Sequence, residues 1–122
     1  MMKTIEFHLA GTTSEKKYYL PLKDASRLIS ATVGSTAAQA AAATVKFGKK
    51  GASNTILDID LNGTGAGEVA KAAYNSSATD SEKAQAFDLD TPVEILVNLA
   101  STSDLMIQLV VDPFLIGAHE GL

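Results

Sequence analysis

The chain has 122 residues, a formal net charge of −4, no cysteine and no tryptophan, and its only aromatic residues are four phenylalanines and three tyrosines. A chain of this length is expected to form one domain, 1–122, that buries roughly two thirds of its unfolded surface without help from a metal or a disulfide. The lack of cysteine excludes disulfides, thiolate catalysis and Cys-ligated zinc, and because the basic residues are scattered through an acidic chain we expect no nucleic-acid partner.

The first 22 residues predict one strand and one edge element. Ile5, Phe7 and Leu9 alternate with polar residues, which predicts a strand that ends near Gly11. Residues 18–22, YYLPL, form an apolar run with an internal proline that cannot donate to a ladder. This run fits an edge strand or an arm that lies on a neighbouring molecule, and its tyrosine pair is either ordinarily half-buried or a binding platform.

Charged residues near the N-terminus argue against a signal peptide. Lys3 and Glu6 lie where a leader would need an apolar stretch, and no apolar run approaches the roughly 18 residues that cross a bilayer. We therefore expect no membrane partner and a protein that stays in the compartment that made it.

The segment from residue 27 to residue 43 gives one clear signal and one conflict. Residues 27–33 alternate, with Ile29, Ala31 and Val33 predicted on one face. In residues 35–43, Thr36 and Gln39 have the spacing of a capping box, but the run is too short for helix propensity alone to hold it. Residues 35–43 are therefore either a single helical turn or a loop of small residues packed under a sheet.

Residues 43–47 and 57–61 alternate around Gly48-Lys49-Lys50-Gly51, which predicts two strands joined by a hairpin or a corner. A glycine-rich loop follows at residues 62–67. The pattern of residues 68–74 allows either a short helix or a small strand. The Thr79 and Glu82 spacing predicts a second capping box.

The strongest pattern runs from residue 91 to residue 114. It predicts two strands joined by the polar turn 101–103, which together form a hairpin at the centre of the sheet. Glu94 and Asn98 of the first strand, and Asp104, Gln108 and Asp112 of the second, are expected on the solvent face. The predicted core positions are Val93, Ile95, Val97, Leu99, Leu105, Ile107, Leu109 and Val111.

Seven or eight strand candidates separated by turn signals predict an all-β fold. The expected architecture is an antiparallel jelly-roll or β-sandwich with one or two short helical turns. The segments 1–22 and 113–122 are expected as arms or edge strands of this single domain.

The sharpest chemical motif runs from Asp58 to Gly63, where D-I-D-L-N-G matches the start of a calcium loop. Asp58, Asp60 and Asn62 would supply oxygen ligands on one side of a tight turn. The match ends at position 12, where Val69 stands in place of a bidentate glutamate. The alternative is that these residues form the solvent-exposed face of a strand that is followed by a glycine-rich loop. The sequence indicates no other cofactor.

No convergent catalytic constellation is visible. His8 and His119 are the only imidazoles and lie at opposite ends of the chain, and no G-x-S-x-G elbow is present. The glycines at 63–67 lack the G-K-[ST] ending of a phosphate loop. We therefore expect that the chain is not an enzyme.

Two stretches carry a family resemblance. They are residues 30–65, SATVGSTAAQAAAATVKFGKKGASNTILDIDLNGTG, and residues 87–114, FDLDTPVEILVNLASTSDLMIQLVVDPF. Within a region that covers about three quarters of the chain, they resemble small jelly-roll proteins of tailed bacteriophages in pattern and composition. In that group a strand with a Lys-Gly-rich corner leads to an aliphatic strand, and two long aliphatic strands close the sheet.

The resemblance implies a head decoration, or cement, protein. Such a protein is made in the host cytoplasm, binds the major capsid protein on the outside of the capsid, commonly as a homotrimer, and strengthens the virion. The alternative is a receptor-binding or carbohydrate-binding module of a phage tail or fibre. On the decoration hypothesis, the residues expected to contact capsid or neighbour are Tyr18, Tyr19, Leu20, Leu115 and Ile116.

Overall fold

The chain folds into two four-stranded antiparallel sheets packed against each other. The computed structural model describes residues 2–113, without the side chains of residues 53–55 and 73. The elements are β1 (Lys3–Gly11), β2 (Lys16–Leu20), β3 (Ser26–Ser35), β4 (Thr44–Lys49), β5 (Ala52–Asp60), β6 (Val69–Tyr74), α1 (Asp80–Lys83), β7 (Val93–Asn98) and β8 (Ser103–Pro113). The predicted all-β class is confirmed.

The strand order is that of a jelly roll. Sheet A has the order β1-β8-β3-β6, and sheet B has the order β2-β7-β4-β5. Successive strands change sheets except for β4 and β5, whose hairpin turns at Gly51 with a positive φ of 85°. Two residue pairs join β5 to β6, whereas β1 and β2 end the strand order on the other flank. Residues 1–22, one of the two segments predicted as arms or edge strands, thus contain the edge strands β1 and β2. The other segment, 113–122, lies outside the described residues except for Pro113.

The core lies between the sheets and is filled from alternate positions of each strand. All eight core positions predicted in residues 93–99 and 105–111 are buried, and Phe47, Phe87 and Leu28 are among the largest fully buried side chains. Each apolar side chain buried in this way contributes roughly 1.5–3 kcal/mol.

The predicted hairpin between β7 and β8 is wrong. β7 pairs with β2 and β4 in sheet B, and β8 pairs with β1 and β3 in sheet A. Alternation defines which face of a strand is buried but not which strand is its neighbour, so a hairpin and a crossing between sheets leave the same pattern. The apolar faces of β7 and β8 therefore face each other across the core, and the two strands are not neighbours in one sheet.

Gln39 binds the loop that makes this crossing. Its Oε1 accepts hydrogen bonds from the backbone N–H groups of Ala100 (3.0 Å) and Ser101 (3.1 Å), and its Nε2 donates to the Ser101 carbonyl (3.0 Å). The Gln39 backbone N–H donates to the Thr64 carbonyl, and its carbonyl accepts from Gly63. One buried residue, through its side chain and its backbone, therefore connects three loops at one end of the sandwich. Residues 35–43 form a loop rather than a helical turn.

Three further predictions are resolved by the structure. Residues 69–74 form β6, and the capping box of Thr79 and Glu82 is present at the start of α1. Ile29 does not share the buried face with Ala31 and Val33, because a register shift between Leu28 and Ser30 places a bulge there and Leu28 fills the core instead.

Replacing Gln39 with alanine is expected to destabilise the fold. The change removes the partners of two loop N–H groups and one carbonyl, and an unsatisfied buried group costs about 1–3 kcal/mol. We expect a loss of at least about 2 kcal/mol in the free energy of unfolding, measured by urea denaturation. Gln108→Ala is the matched control because Gln108 is exposed and its side-chain hydrogen bonds are solvent-exposed, so its expected loss is smaller, about 0.5–1 kcal/mol. Equal losses in the two variants would contradict the structural role of Gln39.

Candidate functional site

The clearest surface concavity is a groove on the outer face of sheet A. Gly34 of β3 lies between Val69 of β6 and Met106 of β8 in the ladders, and His8 of β1 is the next residue across the sheet. Because Gly34 has no side chain, the row opens into a groove of ≈ 250 Å³. We call this feature the Gly34 groove.

The Gly34 groove is lined mainly by apolar surface. Val69 is 71% exposed and Met106 is 48% exposed, although both lie on strands. A Cβ atom added at Gly34 would lie 3.2 Å from Val69 Cγ1, so a side chain there would fill the floor. The groove thus combines a backbone floor with two exposed apolar side chains.

Two polar arrays border the groove and are fully engaged within the fold. On one side, the side chains of Thr32, Gln108 and Glu6 form a hydrogen-bonded row, with Gln108 Nε2 donating to Glu6 Oε2 at 2.7 Å. On the other side, the buried hydroxyl of Ser103 accepts from the N–H groups of Thr36 (3.0 Å) and Ala37 (3.1 Å). These groups hold strands and loops together. The exposed side chains of His8 and Asp104 also line the groove, beside the apolar walls of Val69 and Met106.

The groove residues were not predicted as a site from the sequence. They come from four strands that are far apart in the chain and meet only in the jelly-roll order. One signal was present: Met106 is apolar at a position where the alternation of β8 requires a polar residue.

The calcium candidates lie at the end of β5. Asp58 is half-buried and faces outward, and Asp60 and Asn62 are exposed. Asp60 Oδ1 accepts a hydrogen bond from the backbone N–H of Asn62 at 2.9 Å, so this carboxylate stabilises the turn that leaves the strand. Within residues 2–113, no group of three or more acidic, histidine or cysteine side chains has the arrangement of a metal site.

The predicted contact residues of the N-terminal segment lie on the edge strand β2. Tyr18 and Leu20 face the core and are partly buried, and the Tyr18 hydroxyl donates to the Ala10 carbonyl at the end of β1. This bond connects the two sheets across their open flank. Tyr19 faces outward, beneath the Lys50 ammonium group at 5.7 Å from the ring centroid. Leu115, Ile116 and His119 lie outside the described residues.

Glu94 corrects the expectation of a solvent-facing strand side. It lies between Tyr19 and Gly48 on the outer face of sheet B and is only 2% exposed. Its carboxylate accepts a weak hydrogen bond from the Gly51 N–H at 3.4 Å and interacts with the Tyr19 hydroxyl. The hydrogen bond to Glu94, reinforced by desolvation and by the negative charge of that carboxylate, raises the pKa of Tyr19.

No protein-family model, curated protein or solved structure matches this chain. Among the helices of the described part, none has the length and apolar character needed to cross a bilayer. The jelly-roll assignment therefore rests on the observed strand order.

Calcium is expected to leave the stability of this protein unchanged. Asp60 is engaged in its turn and position 12 of the loop is Val69, so the liganding oxygens of a calcium loop are incomplete. Thermal unfolding with excess calcium and with chelator should give the same midpoint, and Asp58→Asn should behave in the same way. A midpoint that rises with calcium in the native chain but not in Asp58→Asn would establish a calcium site.

Tyr19→Phe is expected to show a pH-dependent loss of stability. Because the folded-state pKa of Tyr19 is raised, its contribution is complete below the unfolded value of about 10 and disappears as the pH rises through the folded value. Urea unfolding should therefore show the native chain to be more stable than Tyr19→Phe near pH 8, with a smaller difference near pH 11. A difference that stays constant would show that Glu94 does not govern the titration of Tyr19.

Proposed function

We propose that this protein is a structural virion protein that binds the outer surface of a phage capsid and stabilises it. The resemblance of residues 30–65 and 87–114 to phage decoration proteins supports this proposal, and so does the jelly-roll strand order. The observation that carries it is the Gly34 groove, where Val69 and Met106 expose apolar surface on a sheet face.

The groove fits a protein surface better than a small soluble ligand. It is shallow, its floor is backbone, and its apolar walls project on both sides of Gly34. An apolar side chain from the capsid protein that entered it would remove apolar area from water, at about 25 cal/mol per Å². A modest contact is sufficient for a decoration protein, because many copies act together on one shell.

The proposal includes self-association as a homotrimer and a location on the virion. β1 and β2 end the two sheets on the same flank, and edge strands of this kind can pair with another chain. The major capsid protein and further copies of this chain are the partners in this proposal.

A second candidate function is supported by the outer face of sheet B. There the exposed ring of Tyr19 lies beside the carboxylate of Glu94, and an aromatic ring next to a carboxylate is a combination that can bind sugars. A tail or fibre module that binds carbohydrate would use this pair. A glycan screen of the native chain and of Tyr19→Ala, with and without chelator, distinguishes this function from capsid binding.

Met106→Asp is expected to weaken binding to capsid shells that have been stripped of accessory proteins. A carboxylate in the groove would have to be desolvated against the partner, so we expect at least a tenfold lower affinity in co-sedimentation, which corresponds to about 1.4 kcal/mol. Met2→Asp is the matched control because Met2 is also exposed but does not line the groove. If Met106→Asp binds shells as tightly as the native chain does, the groove does not contact the capsid. If the native chain does not bind stripped shells, the proposed decoration function is wrong.

A further inference from the structure

Sheet B brings together lysines that are scattered in the sequence. Lys17 of β2, Leu96 of β7 and Lys46 of β4 form one row across its outer face. Since neighbouring strands lie about 4.8 Å apart, the Cα atoms of the two lysines are about 10 Å apart. Lys50 extends this surface toward Tyr19. We call Lys17, Lys46, Lys50 and Leu96 the lysine face.

No ion pair among the described residues includes a lysine of the lysine face. The ion pairs observed among the described residues are Lys3 with Asp24 and Arg27 with Asp112, both elsewhere. Asp58 is opposite Lys46 in the β4–β5 ladder, yet no ion pair joins them in the described part of the chain. Glu94, two residues before Leu96 on β7, lies on the same outer face, so the lysine face is a surface of mixed charge on which Lys17 and Lys46 flank a half-buried leucine.

A complementary feature lies in the loop before β7. Leu89 is 64% exposed and stands between Asp88 and Asp90. Asp88 Oδ1 accepts hydrogen bonds from the N–H groups of Asp90 (2.9 Å) and Thr91 (2.8 Å), so the turn that presents Leu89 is held in place. We call residues 88–90 the acidic knob.

We propose that the acidic knob of one copy binds the lysine face of a second copy. Leu89 packs on Leu96, and the carboxylate of Asp90 lies among the ammonium groups of Lys17 and Lys46. The apolar centre and the surrounding charges of the two surfaces match, which is how specific protein contacts are arranged.

The two surfaces differ, so this contact is heterologous. Each copy retains a free knob or a free face after one contact forms, and the association closes into a ring or continues as a chain. The inference deepens the self-association part of the proposed function and requires no capsid.

Light scattering of the purified chain over a range of protein concentrations tests the contact. At about 0.1 M ionic strength the average mass should rise with concentration, and at about 1 M, where the Debye length falls from about 10 Å to about 3 Å, the rise should weaken. Lys46→Glu and Asp90→Lys should each weaken association tenfold or more, because each places like charges together. Lys71→Glu, on the outer face of sheet A, is the matched control and should associate like the native chain.

Mixing the two charge-reversed variants provides the decisive measurement. An equimolar mixture should recover the association that each variant lacks. The native knob of Lys46→Glu meets the native face of Asp90→Lys, and the changed knob of Asp90→Lys meets the changed face of Lys46→Glu with opposite charge. A mixture that stays monomeric would overturn the proposal, and so would a native chain that is monomeric at every concentration. A monomer whose binding to stripped shells is lost in Lys46→Glu would assign the lysine face to the shell instead, and it would leave the capsid function intact.

Discussion

The arrangement of this sandwich depends on the apolar rows of β7 and β8 facing each other across the core from opposite sheets. Each strand can bury only one face, and these two carry the most continuous apolar rows in the chain. Because β7 and β8 belong to different sheets, the loop between them must cross from one sheet to the other, and its backbone N–H and carbonyl groups need hydrogen-bond partners. Gln39 supplies those partners, so a buried polar side chain makes the apolar packing possible.

Local signals predicted local structure well. Alternation identified all eight core positions predicted in residues 93–99 and 105–111, and the spacing of Thr79 and Glu82 identified the start of α1. The same kind of signal was misleading at Thr36 and Gln39, because the bonds of Gln39 go to loops that are distant in sequence. Short-range patterns therefore succeed where the stabilising partner is also short-range.

Features that depend on strand neighbours were not accessible from the sequence. The bulge at Ile29 exchanges which residue enters the core, and no local composition marks it. Glu94 occupies a position that alternation assigns to solvent, yet Tyr19 and the hairpin turn cover it. The Gly34 groove and the lysine face likewise exist only because the jelly-roll order places distant strands side by side.

The two outer faces of the sandwich have different chemistry. Sheet A presents the Gly34 groove, and sheet B presents the lysine face with the Tyr19 and Glu94 pair. The core separates them, so one face can be covered while the other stays accessible. Under the proposed function, sheet A would contact the shell and sheet B would contact a neighbouring copy.

The pairing of β1 with β8 has a consequence for how the chain reaches its native state. β1 aligns along its whole length with β8, which lies far from it in the sequence, and β3 pairs with the same strand. The β1–β8–β3 part of sheet A therefore depends on contacts between strands that are distant in sequence, and such contacts form slowly. The β4–β5 hairpin joins two consecutive strands along most of their length, whereas only two residue pairs join β5 to β6, so the hairpin is the natural place for folding to begin.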